Sequence, residues 1–138
     1  MLKLLPLLAL LAAPALAETH DVLMYTRSDN GPMRYEPSLL QIAPGDSVRF
    51  ISHQPSHNAA TIDGMLPEGA EPFRGKINED VTVTFDVPGQ YGIKCTPHFA
   101  MGMVMLIEVG EPADWVFPDG LPKRARDRFE EILSGAGG

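Results

Sequence analysis

VTVTFDVPGQYGIKCTPHFAMGMVMLIEV, residues 81–109, reads as three strands and one chemically loaded loop. Val81 to Phe85 alternates branched apolar and polar side chains and stops at Pro88-Gly89. That is the two-residue period of a half-buried strand closed by a turn. Tyr91–Cys95 and Met103–Val109 form two further strands, and the loop between them carries Cys95, His98 and Met103. A loop held at both ends by paired strands is stiff, so its side chains have fixed positions.

Upstream the same grammar continues. Asp21–Arg27 places Val22, Met24 and Thr26 on one face, with Leu23 and Tyr25 on the other. Leu39–Ile42 and Ser47–Ile51 flank the turn signal Ala43-Pro44-Gly45-Asp46. Residues 63–78 read as a loop or crossover. Short strands at this spacing, without helical periods between them, predict an all-β antiparallel sandwich. After Gly110 the pattern changes. Pro112–Phe117 fits one helical turn, and Pro118-Asp119-Gly120 breaks it. Leu121–Leu133 then sets Leu121, Ala125, Phe129, Ile132 and Leu133 on one stripe of an amphipathic helix. Lys123, Arg124, Arg126 and Arg128 read mainly as a solvated basic face.

The first 17 residues stand apart. Lys3, an apolar run and the small-residue ending Ala15-Leu16-Ala17 have the layout of a secretory signal peptide cut after Ala17. The run is shorter than the ~20 residues a spanning helix needs. Residues 1–17 are therefore expected to be a cleaved leader, 18–110 a β-sandwich, and 111–138 a helical extension packed on it. The formal charge of −7 over the whole chain becomes one unit more negative when Lys3 leaves. Nucleic acid is excluded as a partner on that balance, since phosphate binding needs a basic surface.

One cysteine, Cys95, is present in a chain expected in an oxidising compartment. A thiolate committed to a metal accounts for it. Cys95, His98 and Met103 offer a thiolate, an imidazole and a thioether, and His57 is the candidate for a second imidazole. Two His, one Cys and a weak axial Met form the donor set of blue-copper electron-transfer sites. Met101 and Met105 compete with Met103, and His53 competes with His57; position favours Met103 and His57. A Cys95–His98 nucleophile pair lacks an acid or oxyanion loop, and four protein ligands leave no open position for a substrate, so an enzyme is not expected. A copper chaperone is the rival reading. Cleavage after Ala17 would also leave Glu18-Thr19-His20 at the amino terminus, a pattern able to bind Cu(II) or Ni(II), although His20 more simply begins the first strand.

CTPHFAMGM (95–103), His57-Asn58, MLPEGAEPF (65–73) and KINE (76–79) together resemble the pseudoazurins, small blue-copper proteins of the cupredoxin superfamily. The resemblance implies an eight-stranded Greek-key sandwich with one copper on His57, Cys95, His98 and Met103. It implies a monomeric periplasmic carrier of single electrons in denitrification, delivering to copper nitrite reductase, with c-type cytochromes as further partners. It also implies that Asn58 ties the His57 loop to the Cys95 loop. The edge of His98 should emerge through an apolar surface near Pro97, Phe99, Ala100, Met101 and Met33, with Arg74, Lys76 and Lys94 as a local basic ring. Trp115 and Phe117 stand where the family has a more polar helix.

Overall fold

The computed structural model describes residues 9–10 and 16–135. Most of the expected leader, and residues 136–138 of the tail, lie outside the described residues. Eight strands form two facing sheets. They are β1 (Thr19–Ser28), β2 (Gly31–Glu36), β3 (Leu39–Ile42), β4 (Ser47–Ile51), β5 (Ala60–Thr61), β6 (Val81–Thr84), β7 (Gly89–Lys94) and β8 (Val104–Val109), followed by helix α1 (Lys123–Leu133). The orders are β2-β1-β4-β6 in one sheet and β3-β8-β7-β5 in the other. The fold is the expected cupredoxin sandwich.

The sheets are mixed rather than purely antiparallel. β1 runs parallel to β4, from Thr19 beside Ser47 to Leu23 beside Ile51, and β3 runs parallel to β8. Parallel neighbours require crossovers, which is why strands adjacent in space are distant in sequence. β2 and β5 had no clear signature. β2 opens Gly31-Pro32, poor strand residues, and β5 is two residues long.

The apolar alternation of each strand fills the space between the sheets. Val22 and Met24 of β1, Val48 and Phe50 of β4, Ile93 of β7 and Met105, Ile107 and Val109 of β8 are buried together. β8 is buried along its whole length. Its other apolar residues, Val104 and Leu106, enter a second cluster with Leu121, Ala125, Phe129 and Ile132. A strand covered on both faces needs the unbroken apolar run that residues 103–107 supply.

Helix α1 is what covers that outer face. Phe129 is fully buried and its ring stacks on Phe117 at 5.0 Å between centroids. Two details differ from the sequence reading. Residues 112–117 form no helical turn; Trp115 and Phe117 instead pack against the second cluster from irregular chain. Arg128 is not solvated. It is buried, donating from Nη1 to Met33 O at 3.0 Å and pairing with Glu131, while Leu133 of the predicted stripe is exposed. Glu131 in turn accepts from Arg34 Nη2 at 2.9 Å, so the last helix is clamped to β2.

Candidate metal centre

The β7–β8 hairpin creates the site. Lys94 pairs with Val104, the last rung of the ladder, and Cys95 N–H donates to Met103 O at 3.0 Å just beyond it. Cross-strand neighbours share a face, so the side chains of Cys95 and Met103 both enter the inter-sheet core, where both are fully buried. Between them Thr96–Met101 winds into a 3-10 segment, with Pro97 near its start, and Gly102 closes it at φ +86°. His98 N–H donates to Cys95 O, and Met103 N–H donates to His98 O. The loop therefore turns His98 back over Cys95.

The second histidine comes from the irregular segment after β4. Gln54 Oε1 accepts from the N–H groups of Thr26 and Arg27 at 2.7 and 3.0 Å, anchoring this segment to β1. Further along, His57 and Asn58 are buried. Asn58 Oδ1 accepts from Thr96 N–H at 2.7 Å, and its Nδ2 donates to Thr96 Oγ1 at 3.0 Å and to Gly75 O at 3.1 Å. Tyr35 OH donates to Asn58 O at 2.6 Å.

These constraints gather His57 Nδ1, His98 Nδ1 and Cys95 Sγ. The nitrogens are 3.1 Å apart, and the sulfur is 3.7 Å from the first and 3.5 Å from the second. The point equidistant from all three lies about 2 Å from each, the length of a metal–imidazole bond. Two imidazole nitrogens and a thiol turned inward on one another are a donor set waiting for a soft or borderline cation, and copper fits it. Burial, followed by the charge of His98, lowers the pKa of His57. Burial raises the Cys95 thiol, and the backbone N–H groups of Asn58 and His98 act in the opposite direction.

The competing candidates lie elsewhere. His53 is exposed and packs its ring against Tyr25 at 4.8 Å. Met101 is 44% exposed, and Met105 is two residues into β8 opposite Ile93. His98 is half-buried beside exposed Pro97, Ala100 and Met101, whereas His57 and Cys95 are sealed from solvent. Lys94 stands over the Phe99 ring at 5.0 Å.

Thr26 was not singled out in the sequence. It continues the face of Val22 and Met24 beyond the end of the core, and its Oγ1 lies 2.9 Å from His57 Nε2. The same hydroxyl donates to Pro55 O at 3.5 Å, leaving it to accept the Nε2 proton. That tautomer leaves the Nδ1 lone pair free to take a metal. The signal was the alternation itself, which put Thr26 on the inward face.

The profile of the copper binding proteins of the plastocyanin/azurin family matches residues 22–110. A pseudoazurin of Paracoccus pantotrophus is 46% identical over 127 residues, covering 90% of this chain and 88% of its own. The chain belongs to the pseudoazurin family. Among solved pseudoazurins, that of Hyphomicrobium denitrificans superposes with a TM-score of 0.75 at 30% identity, covering 86% of this chain and 98% of its own. That of Methylobacterium extorquens AM1 gives 0.72 at 34%, covering 83% and 98%. A pseudoazurin is a blue-copper electron-transfer protein of cupredoxin fold, and the inward-facing nitrogen and sulfur donors suit that cofactor.

Proposed function

We propose that this pseudoazurin is a periplasmic electron carrier whose copper is held by His57, Cys95, His98 and Met103. The observation that carries the assignment is the triangle of two Nδ1 atoms and one Sγ with sides of 3.1 to 3.7 Å. Met103 completes it as the buried thioether that crosses the hairpin from Cys95. Copper in such a set supplies a one-electron couple, with sulfur favouring Cu(I) and imidazole suiting Cu(II).

The chain's own residues do the rest. Asn58 and Thr96 tie the two ligand-bearing segments together, so loss or gain of charge meets the same donor positions. His57 and Cys95 keep water out. His98 alone of the three reaches the surface, and its apolar collar of Pro97, Ala100 and Met101 is the docking face. Arg74, Lys76 and Lys94 provide local positive charge on a chain that is acidic overall, and docking responds to the local field.

The proposed route of maturation is removal of residues 1–17, leaving a sandwich over 18–110 and a packed extension over 111–138. Among the described residues no helix is long and apolar enough to cross a membrane. The proposed partner is a copper nitrite reductase, with c-type cytochromes as alternatives, and the carrier acts as a monomer without enzymatic turnover.

The decisive test is an optical and paramagnetic-resonance spectrum of the oxidised copper protein and of Cys95→Ser. Intense visible thiolate-to-copper absorption that vanishes in the variant supports the assignment. Colour that survives the substitution rejects it. Stopped-flow mixing of the reduced protein with a copper nitrite reductase tests the partner separately, and absence of saturable electron transfer rejects that partner alone.

A further inference from the structure

At the pole opposite the metal, β1 and β4 begin side by side, and Ser47 N–H donates to Glu18 O at 2.9 Å. Asp46, the residue before β4, turns its carboxylate into this junction, where only 9% of the side chain is exposed. Its Oδ1 accepts from Glu18 N at 3.0 Å. Its Oδ2 accepts from Ala43 N–H at 3.1 Å and contacts His20 Nε2 at 3.0 Å. The backbone of Asp46 is held as well, its N–H by Ala43 O and its carbonyl by Phe85 N–H. A carboxylate this enclosed and this well supplied with donors keeps its charge. Its pKa is lowered first by the Glu18 hydrogen bond and then by that of His20.

What this carboxylate lacks from the backbone is a full positive charge, and one of its donors is placed to acquire one. Glu18 nitrogen is the atom that leader removal would release. Leu16 is 88% exposed and Ala17 is exposed too, so the Ala17–Glu18 bond lies outside the packed fold. Its hydrolysis consumes one water: the hydroxyl goes to the Ala17 carbonyl and a hydrogen to the Glu18 nitrogen, which takes a further proton from solvent. We propose that Asp46 is the receptor site for the α-ammonium group created on Glu18, so that processing converts a neutral hydrogen bond into a shielded ion pair that locks β1 onto β4. This rests on the reading of residues 1–17 as a cleaved leader.

The Glu18-Thr19-His20 pattern takes on a different meaning here from the Cu(II) or Ni(II) site it suggests in isolation. Such a site would need the backbone nitrogens of Thr19 and His20, yet both residues lie in β1, in register with Ser47 and Val48. His20 and Glu18 are the other ionisable groups at this junction, with His20 Nε2 4.0 Å from Glu18 Oε2. From β6 and the turn after it come Thr84 and Phe85, which carry no charge.

The test uses the copper-loaded full mature chain, released at Glu18 from a removable amino-terminal fusion, with its terminus free or Nα-acetylated. Acetylation keeps an N–H donor and removes only the charge. Charge-assisted hydrogen bonds are roughly twice as strong as neutral ones, so the free form is expected to unfold about 4 °C higher at pH 7. Because pairing raises the amine pKa, the gap is full from neutral pH to about pH 8 and closes as pH rises through the folded value. It also vanishes in Asp46→Asn; if that variant does not fold, the pH dependence of the gap in the unsubstituted chain decides. Equal midpoints at pH 7, or a gap unchanged to high pH, overturn the proposal. So does a second equivalent of Cu(II) bound by the free form and lost on acetylation, which would make the amine a metal ligand. The mass of the exported protein tests the leader independently: a terminus other than Glu18 rejects that reading and leaves the ion-pair result standing.

Discussion

Asn58 and Thr96 are joined twice, Thr96 N–H donating to Asn58 Oδ1 at 2.7 Å and Asn58 Nδ2 to Thr96 Oγ1 at 3.0 Å. One residue lies beside His57 and the other beside Cys95, so this reciprocal contact sets the separation of two proposed ligands. Asn58→Ala should lower copper affinity roughly 10–100-fold, as loss of such supporting contacts does elsewhere. It should also cost the apo fold about 1 kcal/mol through the part-buried Thr96 amide left without its Asn58 acceptor. Competition with a chelator and urea unfolding read the two effects. Unchanged affinity would remove Asn58 from any role at the centre.

Thr26 is the acceptor that fixes the His57 tautomer. Thr26→Val keeps the shape and deletes the acceptor, so copper binding should weaken by roughly 10-fold or more, while Thr26→Ser should retain most of it. If Val and Ser behave alike, the hydroxyl is not what orients the ring.

Gly102 closes the ligand loop against α1. It has φ +86°, and a Cβ there would stand 2.8 Å from Arg124 O. Gly120 has nearly the same backbone, φ +83°, with nothing within 4 Å. Gly120→Ala should therefore cost only the left-handed backbone strain, about 1–2 kcal/mol, whereas Gly102→Ala adds a backbone clash and should cost more. The excess, measured by denaturant midpoint, reports how firmly the helix braces the loop, and the visible spectrum of Gly102→Ala should shift with it.

Pro97 has no N–H to offer the Cys95 sulfur, whose backbone donors are Asn58 and His98. Pro97→Ala restores a donor and should raise the midpoint potential, because hydrogen bonding to the thiolate disfavours the oxidised metal. An unchanged or lower potential in voltammetry rejects the account.

Acid should weaken the fold through Asp46. Its folded pKa lies below the ordinary value of about 3.9, so its stabilisation is complete above that pH and is lost as pH falls through the folded value. In Asp46→Asn the stability profile should be flatter below about pH 4. Thermal midpoints from pH 3 to 7 check this.

The sandwich was legible because β1, β4, β6, β7 and β8 each obey a two-residue alternation or an unbroken apolar run. The parallel pairings were not, since alternation fixes which face a residue takes and is silent on the direction of its neighbour. β5 escaped notice because two residues carry no period. The 95–103 loop showed its candidate donors through residue types at fixed spacing, and His57, picked out by its place after β4, lies beside two of them. Alternation put Thr26 on the inward face but not against His57, and Gln54 acts through two backbone hydrogen bonds that leave no pattern in one sequence. Arg128 was misread because a charge on a helix defaults to solvent; only the carbonyls of Pro32 and Met33 and the Glu131 carboxylate make its burial tolerable.

The clamp from Arg128 and Glu131 to residues 32–34 joins α1 to β2, with Arg128 and Met33 95 positions apart in the sequence. The β1–β2 hairpin thus completes its packing only against a much later segment, and β3 likewise needs β8. Contacts of such range close the sandwich as a unit, because the first hairpin and the outer face of β8 depend on the same helix.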